Sequence, residues 1–222
     1  MTGAALNLHD RLAMIHRSVP CAHQERELLI IAETIVRSNI HGPVVELGCY
    51  KGGSTAKLSV ACHMSGRILY VCDTFTGLPD PGQEATHHSY SGRVKTYSRG
   101  DYAGSLEEVK SNVEKFGEPD VCRYVPGLFS DTLPTIDVKP AVVFMDVDLV
   151  ASARECLRNL WPHLGDGTWF THEAGVSTFL RGLLAPRWWH DVLGQCPPVL
   201  IGAGVGFGPD AANLAYFEKG DP

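Results

Sequence analysis

Val44-Val45-Glu46-Leu47-Gly48-Cys49-Tyr50-Lys51-Gly52-Gly53-Ser54-Thr55 decides the fold. Val44 and Val45 open it as a buried parallel strand would. Gly48 lets the chain turn sharply, and Gly52 and Gly53 leave no side chain between backbone and ligand. Ser54 and Thr55 then enter a helical pattern. A strand, a glycine turn and a helix N-terminus make a site for a nucleotide or nucleoside. The spacing is not that of a P-loop, because Ser54 stands where the lysine belongs and Lys51 lies inside the loop. Nor does it open with the G-x-G of a dinucleotide fingerprint. The alternative is a purely structural turn.

A second strand, Ile68-Leu69-Tyr70-Val71-Cys72, ends in Asp73. Asp73 follows the last glycine by roughly 20 residues, the offset at which an acid meets ribose hydroxyls. As a bland alternative it caps the turn that starts at Thr74.

The 222 residues suffice for one domain with a sizeable core. Charged residues make up 20% and apolar ones 44%, as in ordinary globular proteins. A net charge of −6 argues against nucleic acid as the main partner. Met1 to Leu6 lack a basic region followed by an apolar one, and no apolar run is long enough to span a bilayer, so a cytoplasmic protein is expected. The seven cysteines are scattered, form no C-x-x-C, and read as buried thiols in a reducing compartment.

Working outward, residues 1–40 are expected to be a helical segment, with helices over 5–18 and 23–38. They cover either the substrate end of a sheet, an oligomer surface, or simply one face. Strands are expected at 43–47, 67–72, 121–125, 141–145 and 168–171. Helices are expected from Ser54 to His63, from Ser105 to Phe116 behind a capping box, and from Ala151 to Trp161. Residues 74–104 read as a long irregular stretch, of which 80–104 is a lid or an insertion. It carries His87, Tyr90, Arg93, Lys95, Tyr97 and Tyr102, which could close over a ligand. Val199–Ile201 and Asn213–Phe217 read as terminal strands. The glycine-rich run Gly202–Gly208 between them is taken as a hairpin connection and not a second nucleotide loop, since no helix N-terminus follows it. The result is a single α/β domain: a Rossmann-like, doubly wound, mainly parallel seven-stranded sheet with a C-terminal antiparallel hairpin.

Ligands of such sheets bind at the carboxyl ends of the strands. The unusual polar residues fall there: Glu46, Asp73, Ser130 after Phe129, Asp146 with Asp148, and His172 with Glu173. Buried carboxylates are costly unless paired or bound, so five such strand ends point to a site.

Glu46-Leu47-Gly48-x-x-x-Gly52-Gly53-Ser54, Asp73-Thr74-Phe75-x-Gly77-Leu78-Pro79, Gly127-x-Phe129-x-Asp131-Thr132-Leu133-Pro134 and Asp146-x-Asp148 resemble class I S-adenosylmethionine-dependent methyltransferases. The nearest group is the macrocin O-methyltransferase family, which methylates sugar hydroxyls of antibiotics. The resemblance implies that the loop with Glu46, Gly48, Tyr50, Gly52 and Ser54 holds the amino-acid end of the cofactor. Asp73, beside Thr74, takes the ribose, and Phe129 and Ser130 flank the adenine. Asp146 borders the cofactor and binds Mg²⁺, and Asp148 is the base. The family carries two aspartates at the end of the fifth strand, where this chain has His172-Glu173. A metal at Asp146, His172 and Glu173 is therefore expected either as Mg²⁺ held by the two carboxylates or as a softer ion accepted by imidazole. Without a metal, His172 is the candidate base.

The implied reaction is an in-line displacement from a sulfonium by a hydroxyl, with its proton removed. The partner is then a small, glycosylated acceptor, with no nucleic acid and no membrane; a homo-oligomer is possible. Two other classes stay open: a NAD-dependent oxidoreductase, and a protein that binds S-adenosylmethionine without transferring methyl. Asp148 has a bland alternative as the N-cap of the next helix.

Overall fold

A computed structural model describes residues 7–202 and 213–218. Two helices come first, α1 (Leu8–Ser18) and α2 (Glu25–Arg37). They are followed by β1 (Val44–Leu47), α3 (Gly53–Ser65), β2 (Leu69–Asp73) and a small hairpin of β3 (Thr86–His88) and β4 (Val94–Thr96). Next come α4 (Leu106–Phe116), β5 (Cys122–Pro126), the short α5 (Phe129–Thr132), β6 (Val142–Met145), α6 (Val150–Leu160) and β7 (Thr168–Thr171). α7 (Ser177–Leu183) and a π-helical turn, Trp189–Leu193, precede β8 (Val199–Gly202) and β9 (Ala215–Glu218).

β1 is buried along its whole length, as the central strand of a parallel sheet must be. The seven-stranded order is β5-β2-β1-β6-β7-β9-β8. The first five run parallel, β9 is antiparallel to β7, and β8 is antiparallel to β9. Winding goes outward from β1 in one direction and from β6 in the other, so the topological switch point lies between them. The register Leu47↔Cys72 and Leu47↔Met145 sets Gly48, Asp73 and Asp146 along one edge of the sheet. The glycine-rich run from 203 to 208 lies outside the described residues.

Two cores flank the sheet. On one face Leu28, Ile31 and Ile35 of α2, at helical spacing, pack with residues of α1, α3 and α4 over Val44, Phe144 and Phe170. Full burial of each such side chain contributes about 1.5–3 kcal/mol. On the other face Trp161, Trp169, Trp189 and Phe217 join α6 and α7. The N-terminal helices thus cover a face. The segment between them also reaches the strand ends: a Cβ on Gly53 would lie 2.4 Å from the Pro20 carbonyl oxygen, so only glycine lets that linker sit against the loop.

Three stretches differ from the sequence reading. The segment 74–104 is not wholly irregular. β3 and β4 pair within it, His87 Nδ1 lies 3.1 Å from Thr178 Oγ1, and Ser177 Oγ donates to the His88 carbonyl at 2.7 Å. Residues 173–198, given no elements by the sequence, form α7 and the π turn because Phe179, Leu183 and Trp189 are needed to complete the second core. Asp148 does not cap α6: Leu149 is the N-cap residue, and the Glu84 carboxylate accepts the N–H groups of Val150 and Ala151. All seven cysteines are free, and five are buried, while Cys196 is exposed. Among the described residues no helix is long and apolar enough to cross a membrane.

Candidate active site

The loop after β1 is shaped by close backbone approach. Gly48 has φ +87°, and a Cβ there would meet the Asp146 carbonyl oxygen at 2.0 Å. Asp73 braces this loop: Oδ2 accepts from Cys49 N at 2.7 Å and Oδ1 accepts from Phe75 N at 2.8 Å. Glu46 lies beneath the loop, fully buried, and accepts from Thr55 Oγ1 at 2.7 Å. Burial pushes its carboxyl up to about 7, against the pull of hydrogen bonds from Ser54 and Thr55. Its other oxygen, Oε1, makes no hydrogen bond among the described residues.

Above the switch point opens a cavity of ≈ 1040 Å³. Gly48, Tyr50, Ser54, Asp73, Thr74 and Phe129 line it. Asp146, Asp148, His172 and Glu173 line the same cavity. Ten of the expected site residues are therefore brought to one cavity. Glu46 and Gly52 do not line it, and Ser130 lines a smaller pocket that shares Phe129.

Asp146 sits between two imidazoles. His23 Nε2 is 2.8 Å from Asp146 Oδ2, and His172 Nδ1 is 3.3 Å from Asp146 Oδ1. Burial works against charge on all three, yet the attraction wins. The imidazoles hold the Asp146 carboxyl well below the usual range, His23 is raised to about 9, and His172 is raised well above its ordinary value. The remote nitrogens are also engaged: His172 Nε2 lies 3.3 Å from Glu27 Oε2, and His23 Nδ1 lies 3.3 Å from Cys21 Sγ.

Asp148 is buried and stands just past β6, with φ +60°. That turn puts Asp146 and Asp148 in the same cavity, although an extended strand would point them apart. Lys95 Nζ, from β4, reaches Asp148 Oδ1 at 3.2 Å while lying over the rings of Tyr97 and Tyr102. Burial, with the charges of Asp146 and Glu173, lifts the Asp148 carboxyl to about 6 despite Lys95.

Sequence reasoning missed His23, Glu27 and Cys21. One signal was available: Glu27, Ile31 and Ile35 recur every four residues, so a carboxylate interrupts the buried stripe of α2. The Mg²⁺ that the resemblance implies can be checked against the donors. Mg²⁺ takes oxygen ligands and waters. Here position 172 offers an imidazole and a second imidazole adjoins Asp146, so the set does not fit Mg²⁺.

The sequence profile of the macrocin O-methyltransferase family (TylF) matches residues 21–173. The chain is 33% identical over 141 residues to the 8-demethyl-8-(2,3-dimethoxy-alpha-L-rhamnosyl)-tetracenomycin-C 4'-O-methyltransferase of Streptomyces olivaceus, covering 61% of this chain and 53% of that protein. It is 34% identical over 143 residues to the demethyldecarbamoylnovobiocin O-methyltransferase of Streptomyces niveus, covering 61% and 53%. The chain thus spans about half the length of the curated relatives it matches. Among solved structures, the O-methyltransferase NovP shares the fold, with TM-score 0.66 and 23% identity over 90% of this chain and 83% of that one. The seven-stranded sheet, the cleft at its switch point and the match from residue 21 to residue 173 lead to one assignment: the chain belongs to the macrocin O-methyltransferase family.

Proposed function

We propose that the chain transfers a methyl group from S-adenosylmethionine to a hydroxyl on the sugar of a glycosylated natural product. The observation that carries this reading is the position of Asp148, a buried carboxylate facing the same cavity as the glycine loop and Asp73. The relatives are named for O-methylation of natural products, one of them bearing a rhamnosyl group, and that favours a sugar as acceptor.

In this reading the Gly48–Ser54 loop holds the amino-acid end of the cofactor, Asp73 accepts from the ribose hydroxyls, and Phe129 packs on the adenine. The acceptor oxygen attacks the methyl carbon in line with the sulfur. The C–S bond breaks, S-adenosylhomocysteine leaves, and the hydroxyl proton passes to Asp148. Holding both reactants in one cleft supplies most of the advantage, because the displacement needs alignment more than covalent help. Lys95 faces Asp148 and favours its anion, against burial and the charges of Asp146 and Glu173. His172 is the weaker candidate for base. Its two nitrogens lie against the Asp146 and Glu27 carboxylates, which occupy the directions a substrate hydroxyl would need.

Transfer of labelled methyl from S-adenosylmethionine to a panel of glycosylated polyketides and aminocoumarins tests the reading. Label is expected in the acceptor with the native protein and to fall at least about a hundredfold in Asp148→Asn, the scale of a lost general base. Undiminished transfer by Asp148→Asn would remove Asp148 from that role.

A further inference from the structure

His23 Nε2 and His172 Nδ1 converge on the two oxygens of Asp146, and one donor atom from each residue lies within 4.8 Å of the others. The rings stand edge to face, their centroids 4.5 Å apart. His172 Nδ1 is buried and makes no hydrogen bond among the described residues, although carboxylate oxygens lie 3.3 Å and 3.6 Å away. A buried polar atom in a native fold is normally satisfied, by protein, water or an ion.

The surroundings of the two rings point the same way. Each remote nitrogen meets an outer group, Glu27 Oε2 for His172 and Cys21 Sγ for His23. Glu27 is itself fixed: Oε2 accepts from Gln24 N at 2.9 Å and Oε1 from Asn213 N at 2.8 Å. Metal-ligating histidines are oriented in this manner, with an outer acceptor on one nitrogen and the lone pair of the other turned inward. Glu27 does not line the cavity; it reaches the site through His172, while its bonds from the Gln24, Asn213 and Leu214 N–H groups fix the carboxylate in place.

We propose that His23, Asp146 and His172 form a binding site for one divalent transition-metal ion that accepts imidazole, such as Zn²⁺ or Fe²⁺, in place of Mg²⁺. His23 is the added ligand, delivered by the linker between α1 and α2 that the Pro20–Gly53 contact pins against the loop. Glu27 and Cys21 are positioning residues. Two imidazoles and one carboxylate select against hard, oxygen-seeking ions and in favour of the softer first-row ions. The ion's place in the reaction rests on the methyl-transfer reading, but its binding does not.

The test uses the full chain, stripped with chelator, without cofactor or acceptor. Co²⁺ serves as the spectroscopic probe and Zn²⁺ as the competitor, with calorimetry for affinity. One equivalent of Co²⁺ is expected to give visible d–d absorption that Zn²⁺ abolishes and millimolar Mg²⁺ does not. His23→Gln should lose the band, and Glu27→Gln should weaken Zn²⁺ binding about 10–100-fold, the usual effect of an outer partner. Far-UV circular dichroism checks that each variant is folded; Cys21→Ala provides a second positioning variant should Glu27→Gln not fold. Failure of the folded native protein to take up Co²⁺ or Zn²⁺, uptake unchanged in His23→Gln, or displacement of Co²⁺ by Mg²⁺ would each overturn the proposal. Absent uptake with intact methyl transfer overturns the metal site alone, whereas uptake without transfer supports the site and counts against the proposed function.

Discussion

Lys95 Nζ stands 3.2 Å from Asp148 Oδ1, so the β3–β4 hairpin supplies the cation that faces the carboxylate beyond β6. Asp148 titrates near 6 in this setting. A base works only when deprotonated, so kcat/KM should fall as pH drops through about 6. Removing the Lys95 charge raises that carboxyl further. Because the Lys95 side chain is 43% exposed, solvent screens the pair and the limb should move upward by no more than about one unit. A pH–rate profile of Lys95→Met that keeps the native acid limb would show that Lys95 does not act on the base.

Asp73 is expected to serve both cofactor and fold. Asp73→Ala removes two charge-assisted hydrogen bonds to ribose, each about 1.5–3 kcal/mol, so calorimetry should show S-adenosylhomocysteine binding weakened more than a hundredfold. It also frees Cys49 N and Phe75 N, and the thermal midpoint should fall. An unchanged Kd would exclude Asp73 from the ribose site.

The hairpin is expected to respond to ligands. His87 is buried against Thr178, but the residues of β4 are exposed, and Lys95 and Tyr102 line the cavity. Hydrogen exchange across His87–Tyr102 should slow when cofactor and acceptor are both bound. Equal exchange with and without them would leave the hairpin a fixed wall.

Glu46 makes stability depend on pH. Its folded-state value, about 7, lies above the ordinary 4.5 of an unfolded glutamate. The folded state therefore holds the proton more tightly. That contribution is complete below about 4.5 and is lost as pH rises through 7. Glu46→Gln cannot ionise, so its thermal midpoint should decline less than the native protein's between pH 5 and about 8. Parallel declines would mean that other groups set the dependence.

Much of the fold was legible because the strands announce themselves. Val44-Val45-Glu46-Leu47, apolar but for Glu46, is followed by Gly48, and Ala141-Val142-Val143-Phe144-Met145 by Asp146, and parallel strands buried on both faces read as such runs. The strand-end residues Asp73, Asp146, Asp148, His172 and Glu173 were visible for the same reason, and the structure gathers them in one cavity. β3 and β4 were not legible, since three-residue strands carry little periodicity and are set by contacts with α7. His23 was hidden because it lies outside any regular element and meets Asp146 only across 123 residues of chain. Glu27 was hidden by its own helix: α2 reads as an apolar stripe, and one acid in it attracts no notice until its partner, His172, is known.

The central claim, methyl transfer from S-adenosylmethionine to a sugar hydroxyl, is tested most directly by locating the transferred methyl. The protein is incubated with cofactor labelled with ¹³C on the methyl group and with glycosylated natural products, and the product is mapped by heteronuclear NMR. A methoxy carbon correlated to a sugar ring proton is the expected result. Label on nitrogen, on carbon or on the aglycone, or cofactor left intact with every acceptor while it binds normally, would contradict the account.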